Sequence, residues 1–520
     1  MNTTEFLLLP KEITPDRTAI IYNDIRLSFN ELNIKSNKLA NFFLKSKVAP
    51  GDRIAILQVN CNEIIESYFA TSKVDAIYVP LNFRSKKQEI LHLINDSSPK
   101  ILLVGKRYIG LINSLKKELK SVTHFISLES EEDGWLNYNS ILKNSESQTI
   151  NPKHDESDTN LLIYTAGTTG KSKGVMLSHN SFSSFILNQV DPVDPEINES
   201  NILTVPLFHI AGIQSMLSAI YAGRTLIIQS QFDAKEWLVL AEKENANRAM
   251  MVPTMLKMIL DHPDFKKHNL QNLKIITYGA APMPKTIIQD AIKKLPWMKF
   301  INAFGQTETA ATITMLPPDD HILESDSAEE LKIKQKRLTS IGKPLNDIEV
   351  KIVDAFGENV QIGEVGEIVA KGERLMKGYW NRDKESSQVL KNGWLYTGDL
   401  GYFDKDGYIF LSGRSKDIIK RGGEMIAPSE VEEIIRSIPG VEDVAVIGIP
   451  DTVWGEKIIA IVVPKNTSSV NDEEIIEYCH DHLSSFKKPE KVIFENNLPT
   501  NPLGKVLKNL LRDKYSKFKS

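Results

Sequence analysis

The chain has 520 residues, of which 41% are hydrophobic and 25% charged. This composition is that of a folded globular protein and argues against a disordered or fibrous one. At about 150 residues per domain, the length predicts about three domain-sized units. The 63 lysines and arginines face 67 aspartates and glutamates, for a net charge of −4. The basic excess of a nucleic-acid-binding protein is missing, so no nucleic-acid partner is expected.

Two features bear on the compartment of the protein. Cys61 and Cys479 lie far apart in the sequence, so they predict neither a disulfide framework nor a CxxC metal site, and we expect a reducing environment. The most apolar long segment, residues 202–228, contains Pro206, His209 and Arg224. It is therefore expected to be buried core and not a membrane span. We expect a cytoplasmic protein without an integral membrane segment; the sequence does not define its oligomeric state.

The first 150 residues alternate helical patterns with short apolar runs. Ser28 precedes a helical pattern and Glu31 follows three residues later, which predicts a capping box. The apolar runs at residues 54–57, 76–79 and 100–104 predict strands, and helical patterns fill the gaps between them. Such alternation is typical of βαβ units around a parallel sheet.

The pattern of predicted helices and strands changes twice after this region. Residues 145–160 are polar and predict a loop, and the alternating pattern resumes over residues 161–317. From residue 341 onwards, short strands separated by glycine turns predict a small β-rich subdomain, with an α+β pattern after Gly413. The expected fold class is therefore α/β.

The segment 161–175 joins an apolar strand to a loop rich in glycine, threonine and lysine. Glycines let backbone N–H groups converge on anionic oxygens, while hydroxyls and lysines add donors and positive charge, as a polyphosphate requires. A Walker A loop would need glycine where Thr165 stands and a helix beginning at Lys171. A second strand follows Gly174 instead, so the Walker interpretation is excluded.

This loop resembles the Gly-Thr-Thr-Gly-x-Pro-Lys-Gly loop of the adenylate-forming superfamily, which includes acyl-CoA synthetases, luciferases and adenylation domains. Two residues depart from the family pattern, because Ala166 stands where serine is usual and Ser172 where proline is usual. The first change removes one hydroxyl donor and the second makes the loop less rigid. Further segments resemble the family in its own order, at residues 278–282, 302–308, 394–400, 413–428 and 498–506.

The resemblance implies an ATP site. Phe304 would stack on adenine, Thr307 would touch the α-phosphate, and Glu308 together with Thr165 would hold Mg²⁺. Asp399 would accept hydrogen bonds from the ribose hydroxyls, and Arg414 would contact ribose and phosphate. The residues that the resemblance assigns to ATP are Thr165, Ala166, Gly167, Thr168, Thr169, Gly170, Lys171, Lys173, Gly279, Ala280, Ala281, Asn302, Ala303, Phe304, Thr307, Asp399, Arg414 and Lys505.

The resemblance also implies a fold with a moving part. A large N-terminal AMP-binding domain, residues 1–415, would contain two βαβ-type sheet subdomains and a small β-barrel-like subdomain. A smaller mobile α+β domain, residues 416–520, would carry the catalytic Lys505 and turn about a hinge at Lys416. Lys420, Gly422 and Gly423 would then bind CoA in a second half-reaction, whereas Lys505, Thr307 and Glu308 would act in the first.

The acid pocket is the least specific part of the resemblance, which implies His209, Gly212, Tyr278 and Gly279 as its lining. The segments 208–212, 278–281 and 303–304 contain no charged residue, which favours a fatty or aryl acid. Asp233 resembles the acidic residue by which amino-acid-activating relatives bind an α-amine, but Glu236 follows three residues later, so we interpret Asp233 as a helix N-cap.

The expected function is that of an AMP-forming acyl-CoA synthetase, which uses ATP, Mg²⁺, CoA and a small-molecule carboxylic acid. One alternative is an adenylation enzyme that loads a carrier protein. A second is a nucleotide binder without catalytic activity, which we would expect to lack Lys505 or Glu308; both are present.

Overall fold

The computed structural model describes residues 1–520 except residues 154, 166–171, 325–326, 422–423, 452–453, 466–469, 502–503 and 517–520. The chain forms two compact units, residues 1–350 with 370–395 and residues 351–369 with 396–520. Residues 396–415 thus group with the C-terminal part of the chain. The domain boundary expected after residue 415, and the hinge beside it, stay predictions.

The helices of the described residues are α1 (Glu5–Ile13), α2 (Phe29–Lys45), α3 (Asn62–Lys73), α4 (Lys87–Ser97), α5 (Ile109–Leu115), α6 (Tyr138–Asn144), α7 (His179–Gln189), α8 (Ile210–Tyr221), α9 (Ala234–Lys243), α10 (Pro253–Leu260), α11 (Lys285–Lys294), α12 (Ala328–Arg337), α13 (Asp383–Val389), α14 (Pro428–Arg436), α15 (Asp472–His482) and α16 (Lys508–Tyr515).

The strands before residue 345 are β1 (Thr18–Tyr22), β2 (Ile25–Ser28), β3 (Arg53–Leu57), β4 (Ile77–Pro80), β5 (Ile101–Val104), β6 (His124–Ser127), β7 (Leu136–Asn137), β8 (Thr159–Thr165), β9 (Lys173–Ser178), β10 (Ser200–Leu203), β11 (Thr225–Ile228), β12 (Arg248–Met251), β13 (Ile275–Gly279), β14 (Lys299–Gln306), β15 (Ala311–Leu316) and β16 (Lys343–Pro344). Those after it are β17 (Glu349–Val353), β18 (Gly366–Lys371), β19 (Gly378–Tyr379), β20 (Leu390–Lys391), β21 (Trp394–Phe403), β22 (Ile409–Arg414), β23 (Ile419–Arg421), β24 (Glu424–Ile426), β25 (Val441–Asp451), β26 (Gly455–Pro464) and β27 (Lys491–Phe494).

The first unit is built on two sheets. One sheet has the order β16-β15-β14-β13-β12-β10-β11-β1-β2, and the other has the order β19-β9-β8-β4-β3-β5-β6-β7. The neighbours from β14 to β1 in the first sheet and from β8 to β7 in the second are parallel. The central strands β3, β4, β5, β10 and β11 are almost wholly buried, as expected when helices cover both faces of a parallel sheet.

The second unit contains mostly antiparallel pairings, the longest of them between β25 and β26. Strand β21 pairs with β22, and β24-β23-β26-β25 form a sheet to which β27 adds in parallel. Isoleucines and valines of β25 and β26 pack against α14 and α15 as the core of this sheet. The prediction of an α/β fold with a large N-terminal part and a smaller α+β C-terminal part is confirmed.

Two helix caps predicted from the sequence are present in the structure. The Ser28 hydroxyl accepts from the Glu31 backbone N–H at 3.1 Å, and Glu31 accepts from the Ser28 N–H at 2.8 Å, which is the predicted capping box. Asp233 Oδ1 accepts from the Glu236 N–H at 2.8 Å, so Asp233 is the predicted N-cap of α9.

Candidate active site

The parallel pair of β13 and β14 brings two predicted segments together in the first unit. Tyr278 lies opposite Asn302 and Gly279 opposite Ala303, in the parallel pair β13 and β14. Gly279 is the last residue of β13, whereas Asn302, Ala303 and Phe304 lie within β14, which continues to Gln306. The predicted adenine segments are therefore neighbours, with Phe304 one residue further along β14.

The backbone explains the small residues after β13. A Cβ on Gly279 would collide with the backbone carbonyl oxygen of Ala303, so only glycine lets these strands lie this close. Ala280 has a φ of 63°, in the left-handed region that costs a residue with a side chain about 1–3 kcal/mol. Such strain is commonly concentrated at binding sites.

The end of β13 is held by a histidine that the sequence did not reveal. The Tyr278 hydroxyl lies 2.9 Å from His321 Nε2, and His321 Nδ1 lies 2.9 Å from the Pro317 carbonyl oxygen. A carbonyl only accepts, so Nδ1 carries the proton and Nε2 accepts from the tyrosine. Burial lowers the pKa of His321 to about 4, so the ring is neutral at pH 7. His321 is 43 residues from Tyr278 and gives no local signal.

The predicted phosphate loop connects β8 to β9, with Thr165 opposite Lys173. Of the residues expected in the loop, Ala166, Gly167, Thr168, Thr169, Gly170 and Lys171 lie outside the described residues. Lys173 Nζ lies 5.1 Å from the centroid of the Tyr379 ring, within cation–π distance. Tyr379 pairs with Val175 through β19 and β9, so the sheet itself sets this contact.

Tyr379 also joins this loop to Glu308. Its hydroxyl donates to Glu308 Oε1 at 2.9 Å, and the backbone N–H of Met376 donates to the Glu308 carbonyl oxygen at 2.9 Å. We call Lys173, Tyr379 and Glu308 the Tyr379 cluster. The structure thus brings two predicted residues together through a third that sequence reasoning missed. The remaining predicted residue here, Thr307, begins the 3-10 turn that contains Glu308.

At this site the Glu308 carboxylate is available to a magnesium ion. Over the described ranges, no group of three or more His, Cys, Asp and Glu side chains could hold a metal. Mg²⁺ in nucleotide enzymes uses one or two carboxylates, and substrate phosphates and water complete its octahedron. A carboxylate accepts about four hydrogen bonds or metal contacts, so the single bond from Tyr379 does not saturate Glu308. The residues present therefore fit an ion that arrives with a nucleotide.

The predicted acid pocket begins at the N-terminus of α8, where His209 is the N-cap residue. Burial lowers the pKa of His209 to about 3, and the positive charge of Arg84 adds to the effect. The His209 ring lies 4.2 Å from the Phe208 ring, which itself lies edge-on to Phe83 at 5.1 Å. A Cβ on Gly212 would lie 2.5 Å from the Pro206 carbonyl oxygen, so the first turn of the helix requires glycine there.

In the second unit, the two residues predicted to contact ribose are partners across an antiparallel pair. Asp399 in β21 lies opposite Arg414 in β22. Arg414 Nε lies 2.7 Å from Asp399 Oδ1, and Arg414 Nη2 donates to Oδ2 at 3.4 Å. Asp399 is 7% exposed, so its carboxylate is held in one orientation by a mostly buried ion pair.

Lys505 belongs to the same charged group. It follows Gly504, whose φ is 76°, and its backbone N–H donates to Asn501 Oδ1 at 2.9 Å. Burial lowers the pKa of Lys505 to about 8; the charges of Arg414 and Lys416 add to this, while Asp399 opposes it. Burial, followed by the charge of Arg414, also lowers the pKa of Lys416. These lysines and Arg414 are therefore electrostatically coupled.

The predicted CoA residues are only partly described. Lys420 is exposed in β23, and its backbone N–H donates to Glu456 Oε2 at 2.6 Å. Gly422 and Gly423 lie outside the described residues. Among the helices that the structure describes, none is both long and apolar enough to span a bilayer.

Comparison with known proteins identifies the family. The AMP-binding enzyme family matches residues 11–380, and the AMP-binding enzyme C-terminal domain matches residues 430–505. An indoleacetate–CoA ligase of Aromatoleum aromaticum is 30% identical over 98% of both chains. The long-chain-fatty-acid–CoA ligase FadD13 of Mycobacterium tuberculosis is 32% identical over 95% of this chain and 94% of its own. The ATP-bound MatB structure from Rhodopseudomonas palustris is 27% identical over 100% of both chains, with a TM-score of 0.89.

Proposed function

The chain belongs to the AMP-binding enzyme family and is an AMP-forming acid–CoA ligase, and on that premise we propose that its acid is apolar apart from the reacting carboxylate. In the first half-reaction the carboxylate attacks the α-phosphorus of ATP, which gives an acyl-adenylate and pyrophosphate. In the second half-reaction the CoA thiol attacks the acyl carbon, and AMP leaves.

The observation that carries the proposal is the neutral character of the predicted acid pocket. His209 is uncharged at pH 7, because burial lowers its pKa to about 3. Burial also raises the pKa of Tyr278, which stays a neutral phenol. An extra charge on the acid would have to be buried against these groups, at a cost of several kcal/mol if it found no partner. The positive charge of Arg84 acts on His209, so a dicarboxylic acid, which carries a second negative charge, is the informative comparison.

In the first unit we assign the Tyr379 cluster to the triphosphate of ATP. Lys173 supplies positive charge, Glu308 with Thr165 would hold Mg²⁺, and Thr307 donates to the α-phosphate. When bound, the ion would neutralise part of the phosphate charge. Phe304 and the close-packed turn after Gly279 offer adenine a flat surface, because small residues let the backbone approach a ring.

In the second unit we assign Asp399 and Arg414 to the ribose and Lys505 to the charge that develops on the α-phosphoryl group. With a pKa of about 8, most Lys505 side chains carry their proton at pH 7 and can neutralise this charge. We assign the thiol step to Lys420, Gly422 and Gly423, and the change between the two steps to rotation at Lys416.

The deciding experiment is pyrophosphate release across a panel of fatty, aryl and dicarboxylic acids, with and without CoA. We expect no release with ATP alone, a stoichiometric burst with an apolar acid, and repeated turnover after CoA is added. Faster turnover with a dicarboxylic acid would overturn the apolar assignment. Turnover with a pantetheinylated carrier protein but not with CoA would favour the carrier-loading alternative.

A further inference from the structure

One mostly buried carboxylate lies in the last turn of α4, outside the residues assigned so far. The side chain of Asp96 is 10% exposed. Its Oδ2 accepts from the Tyr164 hydroxyl at 2.8 Å, and its Oδ1 accepts from Arg382 Nη2 at 2.9 Å. Its backbone carbonyl oxygen accepts from Trp380 Nε1 at 3.1 Å. Asp96 thus binds three side chains from two segments that lie far from it in the sequence.

The first of these segments is the strand that leads into the phosphate loop. Tyr164 directly precedes Thr165, the last residue of β8, and Thr165 lies opposite Lys173. Burial raises the pKa of Tyr164 and the negative charge of Asp96 adds to the effect, so the phenol keeps its proton and donates. Asp96 therefore fixes the strand end at which two residues assigned to the triphosphate and its Mg²⁺ lie opposite each other.

The second segment, residues 379–382, begins with Tyr379. Trp380 follows it directly, and the Trp380 backbone N–H donates to the Gly174 carbonyl oxygen at 2.7 Å. The Trp380 ring supplies the hydrogen bond to the Asp96 carbonyl oxygen, and Arg382 supplies the ion pair with the Asp96 carboxylate. Asp96 therefore holds the segment that brings the Tyr379 hydroxyl to its carboxylate partner.

Helix α4 is itself anchored, so it can hold these segments. Arg53 donates through Nε and Nη2 to the carbonyl oxygens of Ser97 and Ser98, at 2.7 and 2.8 Å. One turn earlier in the helix, Nε2 of His92 lies 3.2 Å from the carbonyl oxygen of Ser172, which precedes β9. A buried ion pair often stabilises a fold no more than apolar side chains of the same volume. Stability therefore does not account for the carboxylate, whereas the geometry of the two segments does.

Resting on the function proposed above, we propose that Asp96 is a positioning residue for acyl-adenylate formation. It fixes the spacing between the end of β8 and the segment 379–382. This spacing sets the distance of Lys173 from the Tyr379 ring and, through the Tyr379 hydroxyl, the orientation of Glu308. Asp96 touches neither the nucleotide nor the acid and acts through the two segments that it joins. A misplacement of about 1 Å in such charged groups can lower a rate by about 10²-fold.

The test measures the two half-reactions separately in variants of this carboxylate and its partner. Asp96→Asn keeps the shape of the side chain but loses the ion pair with Arg382, and Tyr164→Phe removes only the hydroxyl at β8. For Asp96→Asn we expect acid-dependent exchange between ATP and pyrophosphate to fall at least about 10-fold and to need more Mg²⁺ for half-maximal activity. Thioester formation from presynthesised acyl-adenylate should stay unchanged. Tyr164→Phe should show the same pattern with a smaller loss.

A matched control comes from another partly buried ion pair of the first unit. Asp52 lies 3.1 Å from Lys100 Nζ and binds neither segment, so Asp52→Asn should keep wild-type exchange. If Asp96→Asn does not fold, Tyr164→Phe carries the test. Equal loss of both half-reactions, or wild-type exchange and Mg²⁺ dependence in the folded variants, would overturn this inference alone. No pyrophosphate release by the wild-type enzyme with any acid would instead overturn the function on which it rests.

Discussion

Replacing Tyr379 with phenylalanine isolates one hydrogen bond of the Tyr379 cluster. The change removes the hydroxyl that donates to Glu308 Oε1 at 2.9 Å, but keeps the ring that lies 5.1 Å from Lys173 Nζ. A hydrogen bond to a charged group contributes about 1.5–3 kcal/mol. If this bond orients Glu308 in the transition state, its loss lowers the adenylation rate by about 10- to 150-fold.

Acid-dependent exchange between ATP and pyrophosphate, measured over a Mg²⁺ titration, reports this step without CoA. For Tyr379→Phe we expect kcat/KM for ATP to fall by that factor and half-maximal activity to need more Mg²⁺, with the KM for the acid unchanged. Tyr379→Leu also removes the cation–π contact with Lys173, which should lower the rate by a further factor of about 2 to 30.

The same assay can refute the reasoning. Glu308→Gln should itself weaken the Mg²⁺ dependence, and Tyr379→Phe should add little in that background, because the two residues act as a pair. Full additivity of the two changes, or wild-type Mg²⁺ dependence in Tyr379→Phe, would show that the hydroxyl does not act through Glu308.

Three further predictions concern lysines. Lys505→Ala should slow adenylation at least about 10²-fold but spare thioester formation from presynthesised acyl-adenylate. Equal loss of both half-reactions would contradict this assignment. Wild-type adenylation should decline as pH rises through about 8, because Lys505 then loses its proton. Lys416→Pro fixes φ near −65° and should impair mainly the thiol step, so an unchanged overall rate would exclude a hinge there. Burial lowers the pKa of Lys73 to about 8, so this lysine loses its proton at a lower pH in the folded chain than in the unfolded chain. Because the unfolded chain then binds more protons, the free energy of unfolding should rise between about pH 8 and 10.5, by about 3 kcal/mol relative to Lys73→Met. The same pH dependence of the unfolding free energy in both proteins, measured by urea denaturation, would refute this prediction.

Much of the fold follows from signals that act over a few residues. A serine with a glutamate three residues later satisfies two backbone N–H groups at once, so Ser28 and Glu31 predict the start of α2. The turn at residues 404–407 joins β21 to β22 for a similarly local reason, since the Asp404 side chain accepts from the N–H groups of Asp406 and Tyr408. Strand order is not local, and the pairing of β19 with β9 has no signal within either strand.

The candidate site shows the same difference between local and non-local signals. The sequence predicts the residues whose chemistry demands a particular backbone shape or charge, such as Gly279, Glu308 and Lys505. It does not predict the side chains that hold them: Tyr379 is 71 residues from Glu308, and His321 is 43 residues from Tyr278. A supporting hydrogen bond needs only a hydroxyl or an imidazole at the right point in space, which many positions of the chain could supply.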